Sequence, residues 1–533
     1  MCQHPRGARI RILARIRSPR RLEATRSQEV LVSVVHETQS PADPVSPELS
    51  AWIVAQRWYA GKGHEPQWER IGGFELTDAR DLIADGADGP ARIQVHLLLD
   101  HSGIPLLYQV PITVRAERAP SLDAAFIAEI PGARFLGAGF LYDGCQDPAG
   151  AAAILRLVLD EGTARPDDGA AAHPTPGIAA RGHLLPATPP MSIVSSRVLS
   201  GEQSNTSIIY ETTDASGAPA ASVICKVFRT IHHGDNPDVT LQGALTAAGS
   251  ASVPTSVGFI AGQWRDSGER TGFAHGHLAF AQEFLPGVED AWRVALRAAE
   301  AGEDFTERAR SLGAASADIH TTLASALPTS AATPAQIAAT IDSMRARFNQ
   351  AAAEVPAIEL HRAAIELLYA RLGSLSWPPM QRIHGDYHLG QVLSVPNRGW
   401  VALDFEGEPL RPMRERAVND SPLRDIAGML RSFDYVAGSV AQQGSVAQSG
   451  TLAPSVTPTQ SGTGVDVSEW ANAARRAFLE GYAENSPLDL EASAPLIDAF
   501  ELDKALYEAV YEARNRPGWL AIPVSAVERL IAG

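Results

Sequence analysis

The stretch His384-Gly385-Asp386-Tyr387-His388-Leu389-Gly390-Gln391 decides the reading of this chain, together with Asp404-Phe405-Glu406-Gly407, which begins thirteen residues after Gln391. Between the two segments lie Val392-Leu393-Ser394-Val395, then Pro396-Asn397-Arg398-Gly399, then Trp400-Val401-Ala402-Leu403. Two short apolar runs rich in β-branched and aromatic residues, joined by a Pro-Asn-Arg-Gly turn, predict a tight hairpin. A hairpin brings its two outer ends together. Gln391 and Asp404 are therefore expected to share one metal ion, with Asp386 close by.

These residue types suit phosphoryl transfer. Negative charge concentrates on phosphate oxygens, and Mg²⁺ neutralises it. Mg²⁺ takes hard oxygen ligands, one or two from protein and the rest from phosphate and water. An Asp carboxylate and a Gln carbonyl qualify. A second carboxylate, unbound to metal, can orient an attacking hydroxyl and accept its proton. Asp386 is thus the candidate base, and Gln391 and Asp404 are the candidate metal ligands. Protein kinases place a catalytic Asp, a metal-binding Asn five residues on and a metal-binding Asp in the same order. A lone His-Gly-Asp reads as an ordinary turn; the ordered set with both spacings does not.

Upstream, Ile193-Val-Ser-Ser-Arg-Val-Leu runs into Gly201-Glu-Gln-Ser-Asn-Thr and then Ser207-Ile-Ile-Tyr-Glu. The pattern predicts strand, polar turn, strand. The next strand, Ser222-Val-Ile-Cys-Lys-Val-Phe, carries Lys226 between two apolar neighbours. A Lys so placed needs a partner for its charge, either phosphates or an acid. Asn236-Pro237 opens a helix to Ala247 that holds no Glu. Its first-turn Asp238 is one candidate partner; an acid elsewhere is the other. The turn has one Gly, so it is no Gly-x-Gly-x-x-Gly loop, yet Ser204, Asn205 and Thr206 can donate hydrogen bonds to phosphate. Tyr507, Tyr511 and Arg514 share one helical face by their spacing, and Trp519 follows. That face is either a sugar-binding platform or an aromatic core stripe.

The catalytic segment resembles the corresponding loop of aminoglycoside phosphotransferase-like kinases. Gln at 391, with Leu403-Asp404-Phe405-Glu406-Gly407-Glu408-Pro409, is similar to one branch, the bacterial maltokinases. Further similar stretches are Gln56-Arg57-Trp58-Tyr59-Ala60-Gly61-Lys62-Gly63, Gly201–Ser207, Gln282-Glu283-Phe284-Leu285-Pro286-Gly287 and Tyr507–Pro517. The resemblance covers about residues 45–530. It implies an α+β, bilobal protein-kinase-like fold with an N-terminal cap subdomain, a β-rich N-lobe and a mainly helical C-lobe. It implies ATP and Mg²⁺ as cofactors, with Ser204, Asn205, Thr206 and Lys226 on the phosphates and Gln282, Glu283 and Phe284 beside the adenine. It implies maltose as acceptor, phosphorylated at its anomeric carbon. Tyr507, Tyr511, Arg514 and Trp519 would then bind the sugar, joined by His388, Glu408 and Arg411. The product would feed α-glucan synthesis, with a maltose-producing trehalose synthase as partner enzyme. Maltokinases tend to carry an acid near position 240, where this chain has Thr240; this departure leaves the partner of Lys226 open. The Gln56–Gly63 segment reads on its own residues as a structural aromatic plug. Rival readings are another small-molecule kinase of this fold, acting on an aminoglycoside, choline or a different sugar, and an inactive nucleotide-binding regulator.

The expected divisions are a disordered basic extension at 1–44, a cap and linker at 45–190, an N-lobe at 191–290, and a C-lobe at 291–533 with a flexible insertion near 440–465. In the cap, Ser46-Pro47 starts a helix, and residues 94–100 and 105–111 flank a hairpin turn. Residues 161–190, rich in Ala, Gly, Pro and Asp, read as a loose linker. The first 28 residues hold eight arginines and resemble a transit peptide in composition or reflect a misplaced start codon. With 45% apolar and 20% charged residues, the chain fits a globular protein. A net charge of −16 argues against nucleic-acid binding. No apolar run approaches a membrane span. Cys2, Cys145 and Cys225 are widely spaced, which suits a reducing cytoplasm.

Overall fold

The computed structural model describes residues 45–76, 91–133, 136–166, 179–186, 188–200, 204–266, 272–408, 411, 413–449 and 467–532. The basic extension and residues 201–203 of the polar turn lie outside them.

The N-terminal part comprises α1 (Pro47–Ala55), β1 (Trp68–Leu76), β2 (Ala91–Asp100), β3 (Leu106–Arg115), β4 (Phe126–Ala133), β5 (Gly137–Asp143) and α2 (Pro148–Leu159). Ser46 caps α1 through its hydroxyl, with Pro47 in the first turn. β2 and β3 form the expected hairpin, with Ala91 opposite Arg115 and Asp100 opposite Leu106. The stretch read as a loose linker instead carries β6 (Thr163–Pro166) and β7 (Ala179–Leu184). Both add to the sheet, β6 on β1 and β7 on β12 (Ser256–Arg265). Composition suggested a loop there; backbone groups of the neighbouring strands supply the hydrogen-bond partners that make it sheet.

The next strands are β8 (Met191–Val198), β9 (Thr206–Asp214), β10 (Val223–Val227) and β11 (Thr230–Ile231), followed by α3 (Pro237–Ala247), β12 and β13 (Phe273–Glu283). Among the described residues thirteen strands make one sheet, in the path β4-β5-β3-β2-β1-β6-β7-β12-β13-β10-β9-β8, with β11 returning to pair with β3. The two N-terminal parts share one large hydrophobic core, beside a separate cluster around Leu49, Ile53, Trp58 and Tyr108. Phe74, Ile93 and Val95 lie in the same buried cluster as Ile208, Cys225 and Phe280, and the Ala-rich α2 fills it.

From Ala291 the chain is mainly helical: β14 (Glu289–Asp290), α4 (Ala291–Ala301), α5 (Thr306–Ala326), α6 (Pro334–Glu354), α7 (Pro356–Glu359) and α8 (Arg362–Leu372). The predicted hairpin follows as β15 (Val392–Val395) and β16 (Gly399–Ala402), paired from Val392↔Ala402 to Val395↔Gly399. Then come α9 (Met413–Arg416), α10 (Leu423–Ser449), α11 (Val467–Glu484), α12 (Leu490–Asn515) and α13 (Ala521–Ala532). Helix α10 runs through Ser449, so the first ten residues of the expected 440–465 insertion are helical; residues 450–465 lie outside the described part. A second large core joins α4, α5, α10, α11 and α12 to Val392, Trp400 and Phe405. The hairpin therefore rests on a rigid helical base. No described helix is long and apolar enough to cross a membrane.

Candidate active site

The catalytic segment is held from beneath by one buried acid. Asp425, in the first turn of α10, accepts the backbone N–H of His384 at 2.8 Å and of Gly385 at 2.9 Å. His320 of α5 sits 3.0 Å from the same carboxylate and 2.8 Å from Tyr482. Burial opposes ionisation of Asp425, but these donors hold its carboxyl below the usual range. His384 joins the two segments. Its Nε2 lies 2.8 Å from the Leu403 carbonyl, which can only accept, so Nε2 carries the hydrogen. Its Nδ1 then accepts the Asp386 N–H, and its ring tilts against Phe405 at 4.6 Å. Gly385 has φ +84 and Gly407 φ +74, and a Cβ on Gly385 would stand 3.4 Å from the Gly407 Cα. The positive φ at both positions is what favours glycine there.

Asp404 is a non-glycine residue at φ +62, a strained conformation of the kind that clusters at functional sites. Its Oδ2 lies 3.3 Å from the side-chain amide of Gln391. The hairpin has thus brought its outer ends together. Around Asp404, Lys226 is shared by three carboxylates: Asp404 at 2.7 Å, Glu406 at 2.9 Å and Asp238 at 3.2 Å. Asp238 has its other oxygen occupied by the Phe405 N–H and by Gln242. It orients the loop as well as pairing with the lysine. Burial works against charge on Lys226, and the three acids outweigh it, raising its pKa well above the ordinary value. Burial likewise opposes ionisation of Asp404, where the lysine wins and lowers the carboxyl's pKa. At Glu406 burial prevails, with Asp404 and Asp238 adding to it, and the carboxyl is pushed up. Oxygens of Asp238, Asp404 and Glu406 lie within 4.8 Å of one another. With the Gln391 amide beside them, this is a hard-oxygen donor set that fits Mg²⁺.

These groups line one cavity of about 600 Å³. Its upper wall includes Leu199, Ile224, Phe280 and Gln282; its floor includes Asp386, Gln391 and Asp404. The Gln282 Oε1 is buried without a hydrogen-bond partner. Ala60 and Leu106 of the N-terminal part also reach this cavity. Their neighbours Trp58, Tyr59, Trp68 and Tyr108 pack ring to ring at 5.5–6.0 Å, so Gln56–Gly63 does contain an aromatic plug.

Several expected site residues are placed otherwise. Ser204 and Asn205 line the cavity, and Asn205 donates toward Glu406 at 3.4 Å. Thr206 is buried away from it, its hydroxyl accepting from Arg229 at 2.8 Å. Arg229 is fully buried and also reaches Asp143 at 3.4 Å. Period-two alternation turns Thr206 to the opposite face from Asn205. The Glu283 side chain is bound to Arg398 at 2.9 Å, and neither Glu283 nor Phe284 lines the cavity.

On the acceptor side, Asp386 meets a residue that sequence reading missed. Lys504 of α12 lies 3.4 Å from Asp386 and 2.8 Å from Glu408. Burial opposes ionisation of Glu408, but Lys504, with Arg424 and Arg411 adding to it, outweighs burial and leaves its pKa at about 2. Tyr507 is one turn further along α12, its ring 5.5 Å from the Lys504 ammonium. His388 stands 4.0 Å from Asp386, with Nδ1 accepting the Gly390 N–H. Burial lowers the pKa of its imidazole below the ordinary value, against the pull of Asp386. Arg411 lies 3.5 Å from Asp420 and 3.9 Å from Glu408. Tyr511 is exposed under Arg516, Arg514 is tied to Glu354 of α6 at 2.5 Å, and Trp519 stacks on Tyr435. A helix rises about 1.5 Å per residue, so Arg514 lies far along α12 from Lys504. The single helical face continues past the acceptor region. Asp425 and Lys504 carried no local signal, since each acts on a segment distant in sequence. Glu406 stood within the quoted motif but was given no role.

A β-rich lobe with a buried lysine, over a helical lobe with an acid–amide–acid hairpin, defines a kinase-like phosphotransferase. Residues 199–455 match the phosphotransferase enzyme family (APH), and residues 52–147 match the maltokinase N-terminal cap domain. The chain thus carries a phosphotransferase-family domain preceded by a maltokinase-type cap domain. It is 28% identical to a glucosamine kinase from Streptacidiphilus jiangxiensis, over 67% of this chain and 80% of that protein. It is 25% identical to a glucosamine kinase from Mycolicibacterium smegmatis, over 61% and 79%. A solved glucosamine kinase bound to glucosamine, ADP and inorganic phosphate shares the fold, with a TM-score of 0.58 at 19% identity, covering 91% of this chain and all of that one.

Proposed function

We propose that this protein is an ATP-dependent sugar kinase and that its acceptor is maltose, phosphorylated at the anomeric hydroxyl. The observation that supports kinase chemistry is the convergence of Lys226, Asp404, Gln391 and Asp386 on one cavity. Ile224 and Gln282, paired across β10 and β13, would form the wall against which the adenine of ATP packs, and the unpartnered Gln282 Oε1 would accept from the adenine amine. Lys226 exchanges carboxylate contacts for the α- and β-phosphates. Asp404 and Gln391, with Glu406 beside them, would hold Mg²⁺, which supplies neutralisation of the phosphate charge. Asp386, held by the loop that Asp425 fixes, accepts the proton of the acceptor hydroxyl. That oxygen forms its bond to the γ-phosphorus as the bond to the β–γ bridging oxygen breaks and ADP leaves.

Maltose is supported by the maltokinase-type cap and the motif resemblance. The product, maltose 1-phosphate, would feed α-glucan synthesis, and a maltose-producing trehalose synthase would supply the substrate. A second reading, glucosamine as acceptor, is favoured by the names of the curated relatives. One assay separates these from each other and from the wider family: ATP, Mg²⁺ and the purified chain with maltose, glucose, glucosamine and an aminoglycoside. Turnover of maltose above the others is expected. Turnover of the aminoglycoside alone, or of no acceptor, sinks the sugar-kinase reading.

A further inference from the structure

The acceptor side of the cleft holds several carboxylates, and the described ones are already matched by cations. Lys504 bridges Asp386 and Glu408, at 3.4 and 2.8 Å. Asp420, next outward, is held by Arg424 at 2.8 Å and Arg411 at 3.5 Å. Asp503, the residue before Lys504, is bound by Arg347 and lies 3.6 Å from Arg424. Glu508, one turn after Lys504, is held by the buried Arg431 at 2.8 Å. The side chains of Lys504, Asp386 and Glu408 are each at most a quarter exposed, so solvent screens them weakly.

An acceptor must place its reacting hydroxyl against Asp386. The Lys504 ammonium is already within hydrogen-bond range of that carboxylate, so it is also close to the sugar ring. A ring bearing an ammonium group would find no uncompensated carboxylate there and would meet a like charge in a poorly screened site. A neutral ring finds donors and acceptors and meets no such repulsion. We propose that Lys504 is the specificity-determining residue of the acceptor site: bridging Asp386 and Glu408, with Arg411 also 3.9 Å from Glu408, it leaves neither carboxylate unmatched, and so selects a neutral sugar and rejects an amino sugar. The proposal rests on the sugar-kinase reading and goes beyond it by naming the substrate class and the residue that sets it.

The test compares kcat/KM for glucose and glucosamine, which differ only at carbon 2, with maltose as a third substrate. Assays are run at a pH where the amine is protonated. The parent should favour glucose or maltose over glucosamine by about tenfold or more, because like-charge juxtaposition is a strong discriminator. Lys504→Met removes the like charge beside Asp386, leaves Glu408 with Arg411 alone among its close cations, and should shrink that ratio by about tenfold, whatever happens to the absolute rate. Lys504→Arg keeps the charge and should keep the ratio. Glu408→Gln leaves Lys504 bound to Asp386 alone and should push glucosamine use down further. A structural role for Lys504 would lower all three substrates together and leave the ratio unmoved. Should Lys504→Met fail to fold, the parent, Lys504→Arg and Glu408→Gln still decide. A parent that prefers glucosamine, or a Glu408→Gln variant that loses glucosamine selectively from a high level, overturns the proposal while leaving the sugar-kinase reading standing. A parent that binds ATP but phosphorylates no sugar overturns both.

Discussion

Two lysines organise the two sides of this cleft, and they do it differently. Lys226, on β10, is shared by three carboxylates, Asp238, Asp404 and Glu406. Lys504, on α12, is shared by two, Asp386 and Glu408, in surroundings where arginines match the other acids. The nucleotide side thus carries surplus negative charge, and the acceptor side is balanced. Surplus carboxylate suits a site that must collect Mg²⁺ along with phosphate. Balance suits a site that must keep its base ionised while holding an uncharged ring.

Breaking the acceptor side at its centre should have the largest effect. Asp386→Asn keeps size and hydrogen bonding but removes the proton acceptor, so kcat should fall by about 10²–10⁴-fold with ATP affinity nearly unchanged. Steady-state rates beside calorimetric ATP titration check this. Turnover within a few-fold of the parent would remove Asp386 from the role of base.

Lys226→Met removes the cation shared by Asp404, Glu406 and the buried Asp238. Without Mg²⁺ it should lose about 3 kcal/mol of stability, the scale for breaking a buried pair. Mg²⁺ should restore more of that loss than it adds to the parent. Denaturant melts with and without Mg²⁺ measure both; equal Mg²⁺ effects would contradict the surplus-charge account.

The corresponding break beside Lys504 is Glu408→Gln, expected to cost about 2 kcal/mol at pH 7, given a carboxyl lowered to about 2. The folded-state pKa is depressed, so the contribution is present above the ordinary carboxyl value of about 4.3 and fades as pH falls towards 2. Urea unfolding at pH 7, 5 and 3 should therefore show parent and variant converging at the acid end. A difference that stays constant over this range would assign the loss to packing.

Asp404→Ala should weaken Mg²⁺–ATP binding by roughly tenfold or more and maltose binding much less. Separate titrations decide, and equal losses would indicate disruption of the hairpin instead. The smallest effect belongs to Arg514→Ala. Paired with Glu354 at the surface, it should leave KM for maltose and ATP within twofold, and a large rise in the maltose value alone would restore it to the sugar site.

The parts legible in the sequence are those whose signal is local. The Val392–Ala402 hairpin could be read because apolar alternation and a Pro-Asn-Arg-Gly turn set its register. That register placed Gln391 beside Asp404. Lys226 stood out as a charge between two buried neighbours, Cys225 and Val227. Asp238 was in view as its partner because Asn236-Pro237 marks a helix start. Thr206 was misread because a composition of hydroxyls says nothing of which face each takes. Tyr507 and Arg514 were grouped correctly as one face, but a 26-residue helix carries a face past more than one environment.

By itself, the sequence determined the hairpin, the order of acid, amide and acid, the buried lysine strand and the helical second half, since each follows from periodicity and turn chemistry within a short window. Only the tertiary structure decided the rest. It placed Lys504 on Asp386 across 118 residues, set Asp425 beneath the His384–Gly385 amides, and turned Arg229 into the space between Thr206 and Asp143. Those pairings arise where packed helices and strands bring distant charges into a shared core, and buried charges then take whichever partners the packing supplies.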